Sequence, residues 1–298
     1  MPEGREYGAA VDPAGPPGLH RVAASARGES AEWAGRFRAA HGRAPRVLHI
    51  GNIANNAYLN AKILNERGVD CDVCVPDYYH IMGCPEWEDA PIPEANDSAF
   101  FPWWTARDLG GFRRPTWFVQ GPAVLCRLAL RSRTRFMRGF WMRALAANRW
   151  AHHAAAMDPL VSARVKRWRP DWTAEPNLVP GEGSRLLSHL TGFVALGVLA
   201  LSVGLRSASD LRSLIHFRFR GREGSLSALL EREFPERGPF DFTKMWEASL
   251  SPWADICRRY DAVIGYATDG LIPLAAGFRP YFAFEHGTIR SLPFEESD

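Results

Sequence analysis

Lysine is almost missing from this chain of 298 residues: Lys62, Lys166 and Lys244 are the only three, and arginine supplies the remaining positive charge. The formal net charge is +3, a smaller excess than a nucleic-acid binder usually carries. Cysteine is sparse and odd in number, five in all. That argues against a disulfide framework and fits a reducing cytosol. The opening residues hold no apolar run of the kind a secretory signal needs. Three sequence fingerprints are also missing: the Gly-x-Gly-x-x-Gly turn of dinucleotide folds, the phosphate-binding P-loop and the Gly-x-Ser-x-Gly elbow.

What is present is a chain with 46% hydrophobic residues, enough for a substantial core. The clearest stretch runs from Arg46 to Val75. Val47, Leu48 and Ile50 form a short apolar run, as in a buried parallel strand. Gly51 and Asn52 permit a sharp turn. A helix is expected from about Ala54 to Arg67, with Ile53, Ala57, Ala61 and Leu64 facing a sheet and Gly68 at its C-cap. Val69 to Val75 is the second strand. This βαβ opening predicts an α/β domain with a Rossmann-like parallel sheet and helices on both faces.

In such sheets, ligands bind beyond the carboxyl ends of the strands, where Gly51 to Tyr58 lies. The backbone N–H groups there favour an anion, and Asn52, Asn55 and Asn56 add amides suited to a sugar hydroxyl or a phosphate. The same asparagines can equally serve to cap the helix and satisfy the turn. A second clean segment closes the chain. Asp261 to Tyr266 reads as a strand, Thr268 caps a helix through Ala276, and Tyr281 to Glu285 is another strand followed by the loop His286 to Arg290. Asp269 follows a strand and is a candidate acid, base or hydroxyl acceptor. Its alternative role is to complement a helix dipole.

Between these ends the pattern is less regular. Met1 to about Gly28 reads as a disordered tail and Ser30 to Ala40 as a short helix, so residues 1–44 precede the domain proper. Pro76 to Asp89 is aromatic and acidic, able to stack on a sugar or to pack down as a loop. Residues 91–250 read as a mostly helical insertion within a domain spanning 45–298. Ala123 to Trp150 is helical, with Arg131, Arg135, Arg138 and Arg149 on one side and Phe136, Met137, Phe140 and Ala144 on the other. A basic amphipathic helix of this kind lies on an anionic membrane surface or serves as a domain helix with a solvated face. Leu186 to Leu205 carries no charge and is about as long as a span, but its internal polar residues favour a buried or membrane-leaning helix.

Metal sites are not expected. Cys71 and Cys74 point to opposite faces of a strand, and Asp70-Cys-Asp72 starts that strand at the edge away from the ligand side. His152 and His153 diverge on a helix.

The stretches Arg46 to Val75, Pro85-Glu-Trp-Glu-Asp89, Tyr260 to Tyr266 and Phe284-Glu-His-Gly-Thr-Ile-Arg-Ser-Leu-Pro-Phe294 together resemble the N-terminal domain of GT-B-fold glycosyltransferases of the family 4 kind. The resemblance implies an acceptor-binding domain that transfers a sugar from a nucleotide-sugar donor, without a metal or other cofactor. Gly51 and Asn52 match the family's first-strand turn, and His286 looks like the histidine that points into its cleft. On this reading His286 and Asp269 are the candidate catalytic residues, and Gly51, Asn52, Asn55, Asn56, Tyr58, Glu285 and Arg290 are the candidate substrate contacts. The family's C-terminal donor domain has no counterpart here, which implies a donor half supplied by a separate subunit or lost by truncation. The expected partners are a saccharide or lipid-linked acceptor, that subunit and a membrane surface, with no nucleic acid. The expected location is cytoplasmic, peripheral on the inner face of a membrane. The alternative is a non-catalytic GT-B-like domain that binds a partner or a saccharide.

Overall fold

The computed structural model describes residues 31–76, 83–91, 109–157, 226–237, 239 and 250–284, together with helical residues scattered over 197–212. The tail before residue 31, the aromatic residues Tyr78, Tyr79 and His80, and Glu285 to Arg290 lie outside the described residues, as does most of Leu186 to Leu205.

The described strands form one parallel sheet in the order β3-β2-β1-β4-β5. They are β1 (Arg46–Ile50), β2 (Asp70–Pro76), β3 (Phe118–Gly121), β4 (Ala262–Tyr266) and β5 (Tyr281–Phe284). From β1 the chain moves outward through β2 to β3, then returns to lay β4 on the other side of β1 and continues to β5. The direction of travel therefore reverses between β1 and β4. This is an α/β, Rossmann-like architecture.

The expected βαβ opening is present. The helix α1 covers residues 31–41, and α2 spans Asn56–Glu66. It ends where Gly68 takes φ 81°, with Gly68 N–H donating to Asn65 and Val69 N–H to Leu64. Only a residue without Cβ takes this left-handed position cheaply. Gly277 closes α8 (Leu271–Ala275) in the same way, at φ 61°.

Two apolar clusters cover the two faces. On one, Ala34 of α1 and Ala57, Tyr58 and Ala61 of α2 pack with Val47, Cys71 and Val73. On the other, α4 (Ala123–Arg131), α5 (Arg135–Met157), α6 (Leu226–Glu233), α7 (Ala254–Cys257) and α8 pack over Leu48, Ile50, Cys74 and Val263. Cys71 and Cys74 thus lie in different clusters, as alternation along a strand requires.

The middle of the chain differs from its sequence-based reading in two ways. The sheet's third strand, Phe118–Gly121, lies within the span read as an insertion. Four residues are too few to establish a period, although all four are buried. The single helix expected over Ala123 to Trp150 is two, broken at Ser132 to Thr134. Ser132 Oγ donates back to Leu128 O and Thr134 Oγ1 accepts from Met137 N–H at the new helix start. Among the described residues, no helix is long and apolar enough to cross a membrane.

Candidate functional site

The carboxyl ends of β1 and β4 are adjacent, with Ile50 opposite Gly265 in register. A loop leaves each of them. After β1 come Gly51, Asn52 and a 3-10 turn, Ile53–Asn55; after β4 comes the 3-10 turn Ala267–Gly270. This is the point where the strand order reverses, and such points are where open α/β sheets bind ligands.

Both loops are strained. Ala54, Asn55 and Ala267 have φ of 48°, 54° and 49°, and they are the only non-glycine residues with positive φ among the described residues. L-residues occupy this region at a cost of about 1–3 kcal/mol each, and such strain concentrates at functional sites.

Glycines bring the two loops together. A Cβ on Gly265 would lie 2.3 Å from Gly270 Cα, so the turn after β4 folds directly against its own strand. Gly51 takes φ 86°, and a Cβ there would stand 2.6 Å from Asp269 Oδ2 and 3.1 Å from Tyr266 O. The Asp269 carboxylate therefore rests on the bare backbone of Gly51. No donor among the described residues bonds to it. Its half-buried position disfavours the charged form and lifts its pKa to about 6. A carboxyl group that titrates near 6, with no hydrogen-bond donor among the described residues, suits a general base or a hydroxyl acceptor. The alternative role, charge complement to a helix dipole, is weak here because α8 is only five residues long.

The asparagines have another role. Asn52 is buried and donates from Nδ2 to Asn55 Oδ1 at 2.8 Å and to Gly83 O at 2.9 Å, while its Oδ1 accepts from Tyr58 N–H at 3.1 Å. Asn55 donates to Cys84 O and Glu88. These amides tie the β1 loop to the segment that begins α3 (Pro85–Asp89) and cap α2. Gly51 N–H donates to Cys74 O. The N–H groups of Gly51 and Tyr58, which the sequence offered to an anion, are therefore already bonded. Asn56 is half-buried at the first position of α2.

Tyr58 is likewise internal. It stacks on Trp117 with ring centroids 5.2 Å apart and donates to Asp89, which also holds Lys62 Nζ at 2.7 Å. Glu86 is buried against Arg114 at 2.6 Å, and Arg114 donates on to Gln120. Of the acidic loop after β2, Glu86 and Asp89 are thus engaged in ion pairs. Glu88 bonds to Asn55, and Trp87 is exposed.

Of the predicted site residues, the structure brings together Gly51 and Asp269. It places Asn52, Asn55 and Tyr58 behind them as supports. His286, Glu285 and Arg290 follow β5 and lie outside the described residues.

Sequence reasoning passed over His49. It is fully buried on β1, with Nδ1 3.0 Å from Tyr266 Oη, which also accepts from Asn60. Its Nε2 has no hydrogen-bond partner among the described residues. Burial pushes its pKa down to about 4, so it is neutral at pH 7. A lone histidine inside an apolar run was the available signal.

The Asp70-Cys-Asp72 element lies at the opposite, amino edge of the sheet. There Asp72 binds Arg138 and accepts from Tyr260 Oη at 2.7 Å. Among the described residues, no group of three or more His, Cys, Asp and Glu side chains could hold a metal ion. No family model, curated protein or solved structure matches this chain.

Proposed function

We propose that the crevice between the β1 and β4 loops is a substrate site for a hydroxyl-bearing ligand, and that the chain is the acceptor-binding half of a GT-B-type glycosyltransferase. The observation that carries the reading is the Asp269 carboxylate: without a hydrogen-bond donor among the described residues, raised to about 6, and resting on Gly51 at the reversal point of the sheet. A carboxylate so placed accepts a hydrogen bond from a sugar hydroxyl and, once deprotonated, withdraws its proton as the oxygen attacks an anomeric carbon. The proton passes to Asp269, the new glycosidic bond forms, and the nucleoside diphosphate leaves. His286, which follows β5, would orient the acceptor at the neighbouring strand end, with Glu285 holding hydroxyls and Arg290 an anionic group.

The nucleotide sugar is a co-substrate, and no metal or other cofactor enters the proposal. The departing diphosphate needs electrostatic stabilisation. Residues 51–56 and 266–271 include no basic side chain. In this reading a donor domain or partner subunit supplies that charge. The same lack favours a second reading, in which the crevice binds a saccharide and transfers nothing.

Calorimetry on the purified chain tests both. Saccharide binding that is lost in Asp269→Asn, with no binding of nucleotide sugars or nucleoside diphosphates, supports an acceptor half. Micromolar nucleotide binding would show a donor site on this chain and overturn the division proposed. Turnover by the completed assembly that survives Asp269→Asn unchanged would overturn the role of Asp269 as the base, whereas an assembly that binds saccharide and never transfers it would leave only the binding module.

A further inference from the structure

At the amino ends of the strands, opposite the crevice, a cleft of about 900 Å³ opens between the sheet and the start of α5. Five arginines line it, Arg46, Arg133, Arg135, Arg138 and Arg259, against the carboxylates of Asp70 and Asp72. The positive excess is assembled by the fold. Arg46 opens β1, Arg259 follows α7, and the other three come from the turn after α4 and the first turn of α5.

Most arginines in this part of the molecule are matched to a carboxylate. Arg43 pairs with Asp261, Arg131 and Arg258 share Asp255, and Arg138 pairs with Asp72. Asp72 also accepts from Tyr260 Oη at 2.7 Å, so its oxygens are already engaged. Arg133 and Arg135 differ. Both are exposed, and neither side chain makes an ion pair or hydrogen bond among the described residues.

Their position makes the unmatched charge unfavourable. Arg135 is the first residue of α5, Arg138 lies in the same turn, and that turn holds no acidic side chain. A helix N-terminus carries partial positive charge, which disfavours cations, yet three guanidinium groups gather at this one. A bound anion relieves the conflict, and the helix dipole adds to its attraction. Guanidinium forks match the oxygens of a phosphate two at a time. With Arg46 and Arg259 supplied by other elements, the cleft has guanidinium groups for more than one phosphate.

We infer that this amino-edge cleft is a second ligand site, which binds a small molecule carrying two or more phosphate groups through Arg133, Arg135 and Arg138. A nucleic acid is the poorer match, because the free positive charge does not continue past the cleft: Arg43, Arg131 and Arg258 around it are paired. The inference does not rest on the crevice reading, since Asp269 is at the carboxyl ends of the strands.

The test is calorimetry of the full chain with inorganic pyrophosphate at low salt. The expected result is binding that weakens as salt rises. Arg133→Glu with Arg135→Glu should weaken it at least about tenfold. Both side chains are exposed, so the melt of this variant without ligand should match the parent. Arg113→Glu with Arg237→Glu changes the net charge equally at exposed positions outside the cleft and should bind as the parent does. So should Asp269→Asn. The inference is overturned if the parent ignores pyrophosphate at millimolar concentration, or if the Arg133 and Arg135 variant binds as the parent does. Equal weakening in the Arg113 and Arg237 variant would show attraction to net charge alone and overturn it too. Loss of binding in Asp269→Asn would place the site at the crevice instead. Single-stranded nucleic acid held by the cleft and not displaced by pyrophosphate would also overturn it. Nucleotide binding measured in the Arg133 and Arg135 variant belongs to the crevice, so a failure here and a failure of the acceptor reading are told apart.

Discussion

Asp269 occupies the space that a side chain on Gly51 would take: the position of a Cβ on Gly51 is 2.6 Å from Asp269 Oδ2. Two residues more than two hundred positions apart thereby determine each other's chemistry. The Gly51→Ala variant should move the carboxylate and force φ 86° on a residue with a Cβ. We expect a loss of about 1–3 kcal/mol in stability by chemical denaturation. We also expect ligand binding at the crevice to weaken further than that loss explains. A variant as stable as the parent would show that the contact is not constraining.

Asp269 itself should report through pH. Its folded pKa, near 6, lies above the ordinary carboxylate value of 3.8. The folded state therefore holds the proton more tightly, and stability falls as pH rises from about 4 to about 6. Replacing it by Asn should stabilise the chain above pH 6 by about 1–2 kcal/mol, with little change at pH 4. In a transfer assay the parent should gain activity as pH rises through 6, and Asp269→Asn should lose that limb. Equal melting curves for the two proteins at pH 7.5 would contradict the assignment.

His49 acts in the opposite sense. Its folded pKa of about 4 lies below the usual 6.5, because the buried ring resists charge. The unfolded chain then binds more protons between those values, so stability is lost as pH falls from about 6.5 to about 4. The His49→Leu variant should remove this acid sensitivity. At neutral pH it should cost about 1 kcal/mol for the broken contact with Tyr266. Melting temperatures at pH 5 and pH 7 should lie closer together in the variant than in the parent.

Removing one partner of the Asp72, Arg138 and Tyr260 cluster should be more costly than removing an exposed pair. Asp72→Ala leaves the Tyr260 hydroxyl without its acceptor and the Arg138 guanidinium with only Thr116 O in a partly covered site. We expect a loss of about 1–3 kcal/mol in urea denaturation. Arg36→Ala on α1, where the pair with Glu32 is exposed, should change stability by less than about 0.5 kcal/mol.

The thiols supply a simple check on the core. All five cysteines are free and buried. Burial pushes Cys71 and Cys257 up to about 12, and Cys74 well above the usual thiol range. At pH 8 the native chain should react with a thiol reagent over hours. In denaturant the five groups should react within minutes, since the thiolate is the reactive form. Rapid native labelling of more than one group would place part of the sheet's cover elsewhere.

The sequence by itself determined the elements with a strong local pattern. The apolar runs at Val47 to Ile50 and Ala262 to Tyr266 are strands that pair with each other in the parallel sheet. Gly68 and Gly277 end their helices because their backbone conformation excludes a Cβ. The opposed Cys71 and Cys74, and the parallel α/β class, follow from alternation and from the βαβ order. What the tertiary structure decided is everything that depends on distant partners. Four residues, Phe118 to Gly121, become a strand only because β2 offers them a free edge. Asn52 and Asn55 support the loop because Gly83 and Cys84 present carbonyls to them. Arg138 points inward because Asp72 is there to receive it, and that turns Phe136 outward. Asp269 titrates near 6 because the β1 loop closes over it, an arrangement that local sequence does not encode.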